Sequence, residues 1–231
     1  MIFSTASTIA RPVRLKASTR KWAFDSLHGQ YGDEAMQNPG ILLDDIENFE
    51  ALSDTEKYDI AVRQIAEKAP VRICNEERIC GAATLGDAIS HHVPARYKET
   101  PVFLSVSHLT IRYDKVLKQG LNAYSKDIAK RLEDKNLTVS QVEFLHSLEN
   151  VIESIRIWHQ RYLAATKNTR RDLYELLLQV PFSPARNFHE ALQSLWFIFA
   201  FVRLCGNWPG IGRIDWLLGD FLKNDLKSGV L

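Results

Sequence analysis

The sequence predicts a mainly α-helical protein with a few short β-strands. Over most of the chain, apolar residues recur at three- and four-residue spacing, which is the period of an amphipathic helix. Helix-start signals precede these stretches, whereas β-like runs are too few and too scattered to form a sheet alone. The chain has 231 residues, of which 45% are hydrophobic and 25% charged, so its composition is that of a globular protein.

The first helix signal is a capping box. Ser53 and Glu56 have the spacing at which each side chain bonds the other residue's backbone N–H. The pattern predicts a helix that runs to Lys68 and ends before Pro70, because proline lacks the N–H that a helix interior requires.

A second helix is predicted over residues 113–133, where the lysines lie largely away from one apolar face. That face consists of Val116, Leu117, Leu121, Tyr124, Ile128 and Leu132.

A second capping box, Thr138 with Gln141, opens a longer helix. Its predicted inward residues are Val142, Leu145, Leu148, Ile152, Ile155 and Tyr162. A further helix is expected from about Thr169 to Pro181.

The helix that begins near Asn187 becomes apolar on every face from Leu195 to Val202. Arg203 closes this run after eight residues, far short of the roughly 20 that cross a bilayer, so no membrane span is predicted. A helix that is apolar all round requires neighbours on all sides. Because a chain of 231 residues offers few, we expect exposed apolar surface around residues 195–201, and self-association of the chain alone.

Short strands are predicted at residues 71–74, 102–106 and 211–214, and a surface loop at residues 30–40. The first 22 residues are basic and contain no acidic residue, a composition that fits either a targeting segment or a structural arm. No repeat or Gly/Ser linker divides the chain, so one continuous unit is the simplest interpretation.

The charge balance and the cysteines exclude several classes of function. With 29 basic and 28 acidic residues, the net charge of +1 disfavours nucleic acid as a partner. Cys74, Cys80 and Cys205 form no C-x-x-C pair, so neither a zinc knuckle nor a disulfide framework is indicated. Reduced, structural thiols in the cytoplasm are therefore expected.

Most candidate catalytic patterns are incomplete. Glu143 and His146 have di-iron ligand spacing, but the second such pair is missing, which favours a solvated helix face over a metal site. His189 lacks a second histidine four residues later, where Gln193 stands, so the zincin pattern fails. Gly210 and Gly212 lack the third glycine of a dinucleotide-binding loop.

His108 is the strongest single candidate for a functional residue. It lies where a β-like run passes into a helix, a place where side chains reach clefts. The alternative is a structural histidine whose hydrogen bonds are satisfied locally.

Four motifs in order resemble those of glycyl radical enzymes of the pyruvate formate-lyase type. Residues 107–121, SHLTIRYDKVLKQGL, resemble the family's "KVL-x-x-GL" helix and the segment before it. Residues 188–197, FHEALQSLWF, are similar to its "FHEALQ-x-x-WF" helix. Residues 212–215, followed by residues 225–229, resemble its "GR-x-D" turn and "DL-x-x-G" helix end, and residues 77–81 its early "E-x-I-x-G" turn.

The resemblance implies a lyase or dehydratase built as a ten-stranded α/β barrel wrapped in helices, of which this chain would be the N-terminal part. In that family, an activase with an iron–sulfur cluster and S-adenosylmethionine places a radical on a glycine. The radical passes to a cysteine on a loop, and the thiyl abstracts hydrogen from the substrate. Neither the cysteine loop nor the radical glycine has a match in this chain, so we expect no activity and no bound cofactor for the chain alone.

The resemblance also assigns His108 to substrate binding. Family members place there an Arg for a substrate carboxylate or a His for a hydroxylated substrate, and a neutral imidazole both donates to and accepts from a hydroxyl. Family members commonly have an Asp four residues later, where this chain has Arg112. Arg213 and Asp215 are expected to stabilise their turn by a salt bridge rather than to contact substrate.

The sequence therefore predicts an N-terminal arm and loop at residues 1–40 and a partial pyruvate formate-lyase-like domain at residues 41–231. The expected function is that of a glycyl radical lyase or dehydratase fragment acting on a small polar substrate. The expected partners are the activase, a separately encoded C-terminal part and a second copy of the chain, with no membrane. The alternative is a non-catalytic helical interaction module or one half of a split enzyme.

Overall fold

A computed structural model describes residues 16–18, 20–21, 24, 41–69, 71, 73, 76–81, 95–102, 109–206 and 209–231. This part of the chain is mostly helical, as predicted, and it contains one small two-stranded sheet. The helices are α1 (Asp54–Lys68), α2 (Tyr113–Gln119), α3 (Leu121–Leu132), α4 (Val139–Thr166), α5 (Arg171–Gln179), α6 (Phe188–Leu204) and α7 (Ile214–Ser228), and the strands are β1 (Arg96–Tyr97) and β2 (Thr100–Pro101). The predicted loop at residues 30–40, Cys74, and most of the predicted arm lie outside the described residues.

Helix α1 begins and ends where the sequence predicts. The Glu56 N–H donates to Ser53 Oγ at 3.2 Å, and the Ser53 N–H donates to the Glu56 carboxylate at 2.8 Å, so the capping box is confirmed. Lys68 is the last residue of the helix. The helix packs on α4, where Ser147 Oγ donates to the Asp59 carboxylate at 2.6 Å.

The strands lie elsewhere than predicted. Strands β1 and β2 form an antiparallel hairpin around Lys98 and Glu99, whose φ angles of 47° and 63° are left-handed. Of the run at residues 102–106, only Val102 is described, and it is a bend. Residues 71 and 73 are not in a strand, and the run at 211–214 leads into α7 instead. Short β-like runs become strands only where a partner backbone pairs with them, which the sequence does not reveal.

The helix predicted over residues 113–133 is two helices, because Gly120 interrupts it with φ 74° and ψ 167°. The segment after α5 lies directly against this break: the Leu121 N–H donates to the Pro181 carbonyl at 2.9 Å, and the Asn122 N–H donates to the Phe182 carbonyl at 3.2 Å. The predicted apolar face is confirmed, with four residues buried and two half-buried: Val116, Leu117, Leu121 and Ile128, then Tyr124 and Leu132.

Helix α4 begins at the predicted capping box, with the Gln141 N–H donating to Thr138 Oγ1. Of its predicted inward residues, Ile152, Ile155 and Tyr162 are buried, and Val142 and Leu145 are half-buried. Leu148 is 36% exposed, so its predicted burial is wrong. At this turn of α4, helix α1 does not cover Leu148. It makes a polar contact, in which Ser147 Oγ donates to the Asp59 carboxylate.

Helix α6 occupies the centre of the molecule. Leu195, Phe197 and Phe201 are at most 2% exposed, so the expected exposed surface at residues 195–201 is wrong. Helices α2, α5 and α7 pack against α6, and the indole of Trp158 on α4 stacks on Phe197 with ring centroids 4.3 Å apart. These neighbours bury five residues of the apolar run, and Trp196, Phe199 and Val202 are half-buried. Among the described residues, no helix combines the length and apolarity that a bilayer crossing requires.

Candidate functional site

The backbone that follows His108 lies beside the turn that precedes α7. Thr110 and Gly210 form a parallel β-bridge, and the Gly210 N–H donates to the Leu109 carbonyl at 3.1 Å. His108 itself lies outside the described residues. The motif at residues 107–121 therefore lies beside the residues just before the turn at 212–215, which come a hundred residues later in the chain.

Close packing at this junction explains Gly212, the glycine of the turn at residues 212–215. Gly212 has a φ of +77°, and a Cβ added to it would lie 2.8 Å from Thr110 Cγ2. Both the left-handed backbone conformation of Gly212 and its short distance to Thr110 require a residue without a side chain. Gly212 is therefore required for the close packing of this junction.

Arg213 and Asp215 form the predicted salt bridge at the start of α7. Arg213 Nε donates to Asp215 Oδ1 at 2.8 Å, and a second guanidinium N–H donates to the other carboxylate oxygen. This hydrogen bonding by Arg213 lowers the pKa of Asp215 to about 2. Both side chains are exposed, at 77% and 66%, so the pair fixes the turn at the protein surface rather than in a buried site.

The residues just after the junction differ in exposure. Arg112 Nε lies 3.4 Å from Asp114 Oδ1, and the Arg112 side chain is 78% exposed. Tyr113 is fully buried, and its hydroxyl has no hydrogen-bond partner in the described part of the chain. Burial raises the pKa of Tyr113, which keeps this phenol neutral.

A second junction joins the turn at residues 77–81 to α6. The Cys80 N–H donates to Gln193 Oε1 at 2.7 Å, and Gln193 Nε2 donates to the Cys80 carbonyl at 3.2 Å. Next to it, His189 Nε2 bonds the Arg78 carbonyl. Gln193 and His189 therefore bind main-chain atoms of the turn, which explains both residues without metal chemistry.

The start of α6 is held by two carboxylates. Glu190 accepts hydrogen bonds from the Arg186 guanidinium and from the Arg186 N–H, the latter at 2.7 Å. Asp225 of α7 accepts a hydrogen bond from the Phe188 N–H at 2.8 Å. A carboxylate beside the first N–H groups of a helix satisfies unpaired donors and favours the helix dipole. The motif at residues 225–229 is thereby connected to the motif at residues 188–197.

The described cysteines are structural, as predicted. Cys80 is fully buried and Cys205 is 7% exposed, and both are free thiols. Burial raises the pKa of the Cys205 thiol to about 12 and that of Cys80 as well. Both thiols are neutral at physiological pH, so neither is an activated nucleophile.

His146, a candidate metal ligand, lies on an exposed helix face. Its Nδ1 is 3.1 Å from the Glu149 carboxylate, and its partner is therefore not Glu143. In the stretches that the structure describes, no group of three or more His, Cys, Asp or Glu side chains is arranged to hold a metal ion.

A shallow cavity of about 390 Å³ was not anticipated from the sequence. It lies between the β-hairpin and the start of α1, and Lys57, Lys98 and the tilted ring pair of Phe49 and Tyr97 line it. Lys98 is paired with Glu50 there. The hairpin that forms one side has no Gly or Asn at its left-handed turn residues, so the usual turn signal is missing.

Comparison with protein families identifies the segment that carries three of the four motifs. A model described as "Pyruvate formate lyase-like" matches residues 87–231, which is more than half of the chain. The isethionate sulfite-lyase of Nitratidesulfovibrio vulgaris is 32% identical over 151 aligned positions, covering 57% of this chain and 18% of that enzyme.

Solved structures show the same fold. The chain superposes on a Roseburia inulinivorans protein described for 1,2-propanediol dehydration with a TM-score of 0.64 and 19% identity, covering 94% of this chain and 37% of that one. The B12-independent glycerol dehydratase of Clostridium butyricum gives a TM-score of 0.64 at 15% identity, with 94% and 38% coverage. The chain thus spans less than two fifths of the relatives it matches.

Proposed function

Because the chain belongs to the pyruvate formate lyase-like family, we propose that it is the N-terminal part of a glycyl radical lyase or dehydratase acting on a small polar substrate. The junction of Thr110 with Gly210 and Gly212 carries the proposal, since it brings two family motifs together at a point two residues after His108 in the sequence. Residues 41–231 would form the partial domain, including the first part of the α/β barrel.

We assign substrate binding to His108. The relatives act on isethionate, 1,2-propanediol and glycerol, small molecules that each carry a hydroxyl group. A neutral imidazole donates one hydrogen bond and accepts another, which matches a hydroxyl better than a carboxylate. This supports a dehydratase- or eliminase-like reaction over cleavage of a keto acid.

The radical chemistry of the family requires a thiyl cysteine and a radical glycine, and neither has a match among the motifs of this chain. A glycyl radical, installed by an activase with S-adenosylmethionine and an iron–sulfur cluster, supplies the oxidising equivalent in the family. Neither Cys80 nor Cys205 fits the thiyl position, because each is packed into the helical core as a structural residue. The 231-residue chain alone is therefore expected to be inactive, and the remaining part of the enzyme would be contiguous or separately encoded.

The first experiment is to measure the mass of the native polypeptide with an antibody to residues 109–206. A mass well above 26.4 kDa supports the enzyme, and the polypeptide is then purified anaerobically with its activase and examined for a glycyl radical by electron paramagnetic resonance. A mass of 26.4 kDa instead directs the search to a separate polypeptide that completes the fold. No radical in either the long polypeptide or the completed complex would contradict the proposal.

The assignment of His108 is tested in the active protein. His108→Ala is expected to reduce kcat/KM for a hydroxylated substrate at least tenfold, whereas His146→Ala, on the exposed face of α4, is the matched control. Equal kinetics for the two variants would remove His108 from the substrate site.

A further inference from the structure

The cavity beside the β-hairpin is lined by two lysines and one carboxylate. Lys98 Nζ lies 2.5 Å from Glu50 Oε1, so these two charges neutralise each other. Lys57, near the start of α1, is half-buried, and its ammonium group forms no hydrogen bond or ion pair with the described residues. One positive charge of the lining is therefore left without a partner in this part of the chain.

The charge of Lys57 acts on the same carboxylate. The pKa of Glu50 is lowered mainly by the hydrogen bond from Lys98 and, to a smaller extent, by the positive charge of Lys57. Both ammonium groups are therefore within electrostatic reach of the Glu50 carboxylate. An anion bound beside that carboxylate gains the attraction of Lys57 and competes with Glu50 for Lys98.

Most of the remaining lining is apolar. The rings of Phe49 and Tyr97 lie with their centroids 4.7 Å apart, and Pro101 and Val102 extend this surface. Phe49 is 3% exposed and Tyr97 is half-buried, so packing holds the aromatic pair in place. The cavity volume of about 390 Å³ is near the lower end of the roughly 300–1,000 Å³ found for ligand pockets, which suits a molecule with a single ring.

Unfavourable backbone conformations occur on both sides of this cavity. In the described ranges, the residues other than glycine with positive φ are Asn48, Lys98 and Glu99, at 55°, 47° and 63°. Asn48 precedes Phe49, and the other two form the hairpin turn, where the Lys98 N–H donates to Asp44 Oδ1 at 3.1 Å. Such conformations cost energy in residues with a Cβ and are concentrated at ligand sites. The strained turn that places Lys98 at the cavity is thus a second indication of a binding site.

We propose that this cavity binds a small organic monoanion, namely a carboxylate attached to one flat ring. The carboxylate interacts with Lys57 and Lys98, and the ring packs against the apolar part of the lining. One unneutralised lysine charge matches a carboxylate better than a phosphate monoester, which carries about two negative charges. Part of the lining, including Lys57, precedes the family match at residues 87–231, so this site does not depend on the proposed function.

A cation is a poorer ligand for this cavity, although a carboxylate and aromatic rings are groups that bind cations. Glu50 is already paired with Lys98, and Lys57 repels a second positive charge. A cation would have to displace one ammonium group and remain close to the other.

The test is a titration of the isotope-labelled 231-residue chain followed by nuclear magnetic resonance. Benzoate is the probe, and the amide shifts of Lys98 and Thr100 report binding at the hairpin. Benzamide has the same ring without the charge, inorganic phosphate has charge without a ring, and benzylammonium has the opposite charge. We expect saturable shifts with benzoate, and roughly tenfold weaker binding of the other three compounds.

Three variants distinguish this site from general attraction of anions to the surface. Lys57→Met should weaken benzoate binding roughly tenfold, because it removes the unpaired ammonium group. Glu50→Gln should strengthen binding roughly threefold, because Lys98 is then released from its ion pair. Lys68→Met removes an exposed lysine at the other end of α1 and should leave binding unchanged.

No saturable shift with benzoate, or equal binding by Lys57→Met and Lys68→Met, would overturn the proposal. Weaker binding by Glu50→Gln, or tighter binding of benzylammonium than of benzoate, would also overturn it and would assign the cavity to a cation. Melting curves of the three variants, which should match that of the parent, check that the hairpin and α1 stay folded.

Discussion

Gln193 and Cys80 are 113 positions apart in the sequence, yet the Gln193 carboxamide makes both a donor and an acceptor hydrogen bond to the backbone of Cys80. Gln193 is fully buried, so these bonds are made away from water. They connect the turn at residues 77–81 to the central helix α6. The glutamine of the FHEALQ motif therefore has a structural role. This role explains why position 193 holds a glutamine and not the second histidine of a zincin site.

Replacing Gln193 by Leu should destabilise the protein strongly. The substitution leaves the N–H and the carbonyl of Cys80 buried without partners, at a cost of about 3 kcal/mol. In a chain of this size, that corresponds to a fall in melting temperature of roughly 10 °C. Thermal unfolding followed by circular dichroism measures it. Gln160→Leu, on the exposed side of α4, is the control, and equal melting temperatures would contradict the role of Gln193.

Replacing Gly120 by Ala should destabilise the protein, whereas the same change at Gly219 should not. A Cβ on Gly120 would lie 2.4 Å from the Phe182 carbonyl oxygen, in a conformation with φ +74°. The expected cost is about 3 kcal/mol or more, from backbone strain and steric overlap together. Gly219 lies inside α7 with open space around it, so alanine there should stabilise by about 0.5–1 kcal/mol. Urea unfolding of both variants should give changes of opposite sign.

Removing the Asp225 carboxylate should weaken the start of α6. Asp225→Ala deletes the acceptor for the Phe188 N–H and a negative charge near the positive end of the helix dipole. A loss of about 1 kcal/mol is expected, as for other N-terminal caps. Hydrogen exchange should accelerate in the first turn of α6 in this variant. It should not in Asp220→Ala, which removes an exposed carboxylate of the same helix.

His159 should make stability depend on pH. Burial lowers the pKa of its imidazole below the ordinary value, although Nε2–H donates to the Leu177 carbonyl at 2.8 Å. The unfolded chain then binds more protons below about pH 6.5, the ordinary histidine pKa. The contribution of His159 is therefore fully present above that pH and is lost as the pH falls through the lowered pKa.

Urea unfolding at pH 7.5 and at pH 5.5 tests the contribution of His159. The free energy of unfolding should decrease less between these pH values in His159→Gln than in the parent, since glutamine does not titrate. An identical decrease in both proteins would show that His159 does not contribute.

Local signals in the sequence determine where helices α1 and α4 begin. Both capping boxes depend on side chains three residues apart, so Ser53 and Thr138 are recognisable from the sequence and begin their helices as predicted. The Arg213 and Asp215 pair is equally local and was predictable. The order of the four motifs likewise identified the family, because each motif is a short contiguous segment.

Tertiary contacts decide the features that the sequence does not reveal. The break at Gly120 depends on the approach of residues 181–182, and the bridge from Thr110 to Gly210 joins segments a hundred residues apart. The same reason explains why Leu195 and Phe201 are buried in α6 whereas Leu226 of α7 is 59% exposed. An apolar residue is equally apolar in both places, and only the helices that pack against it determine whether water reaches it.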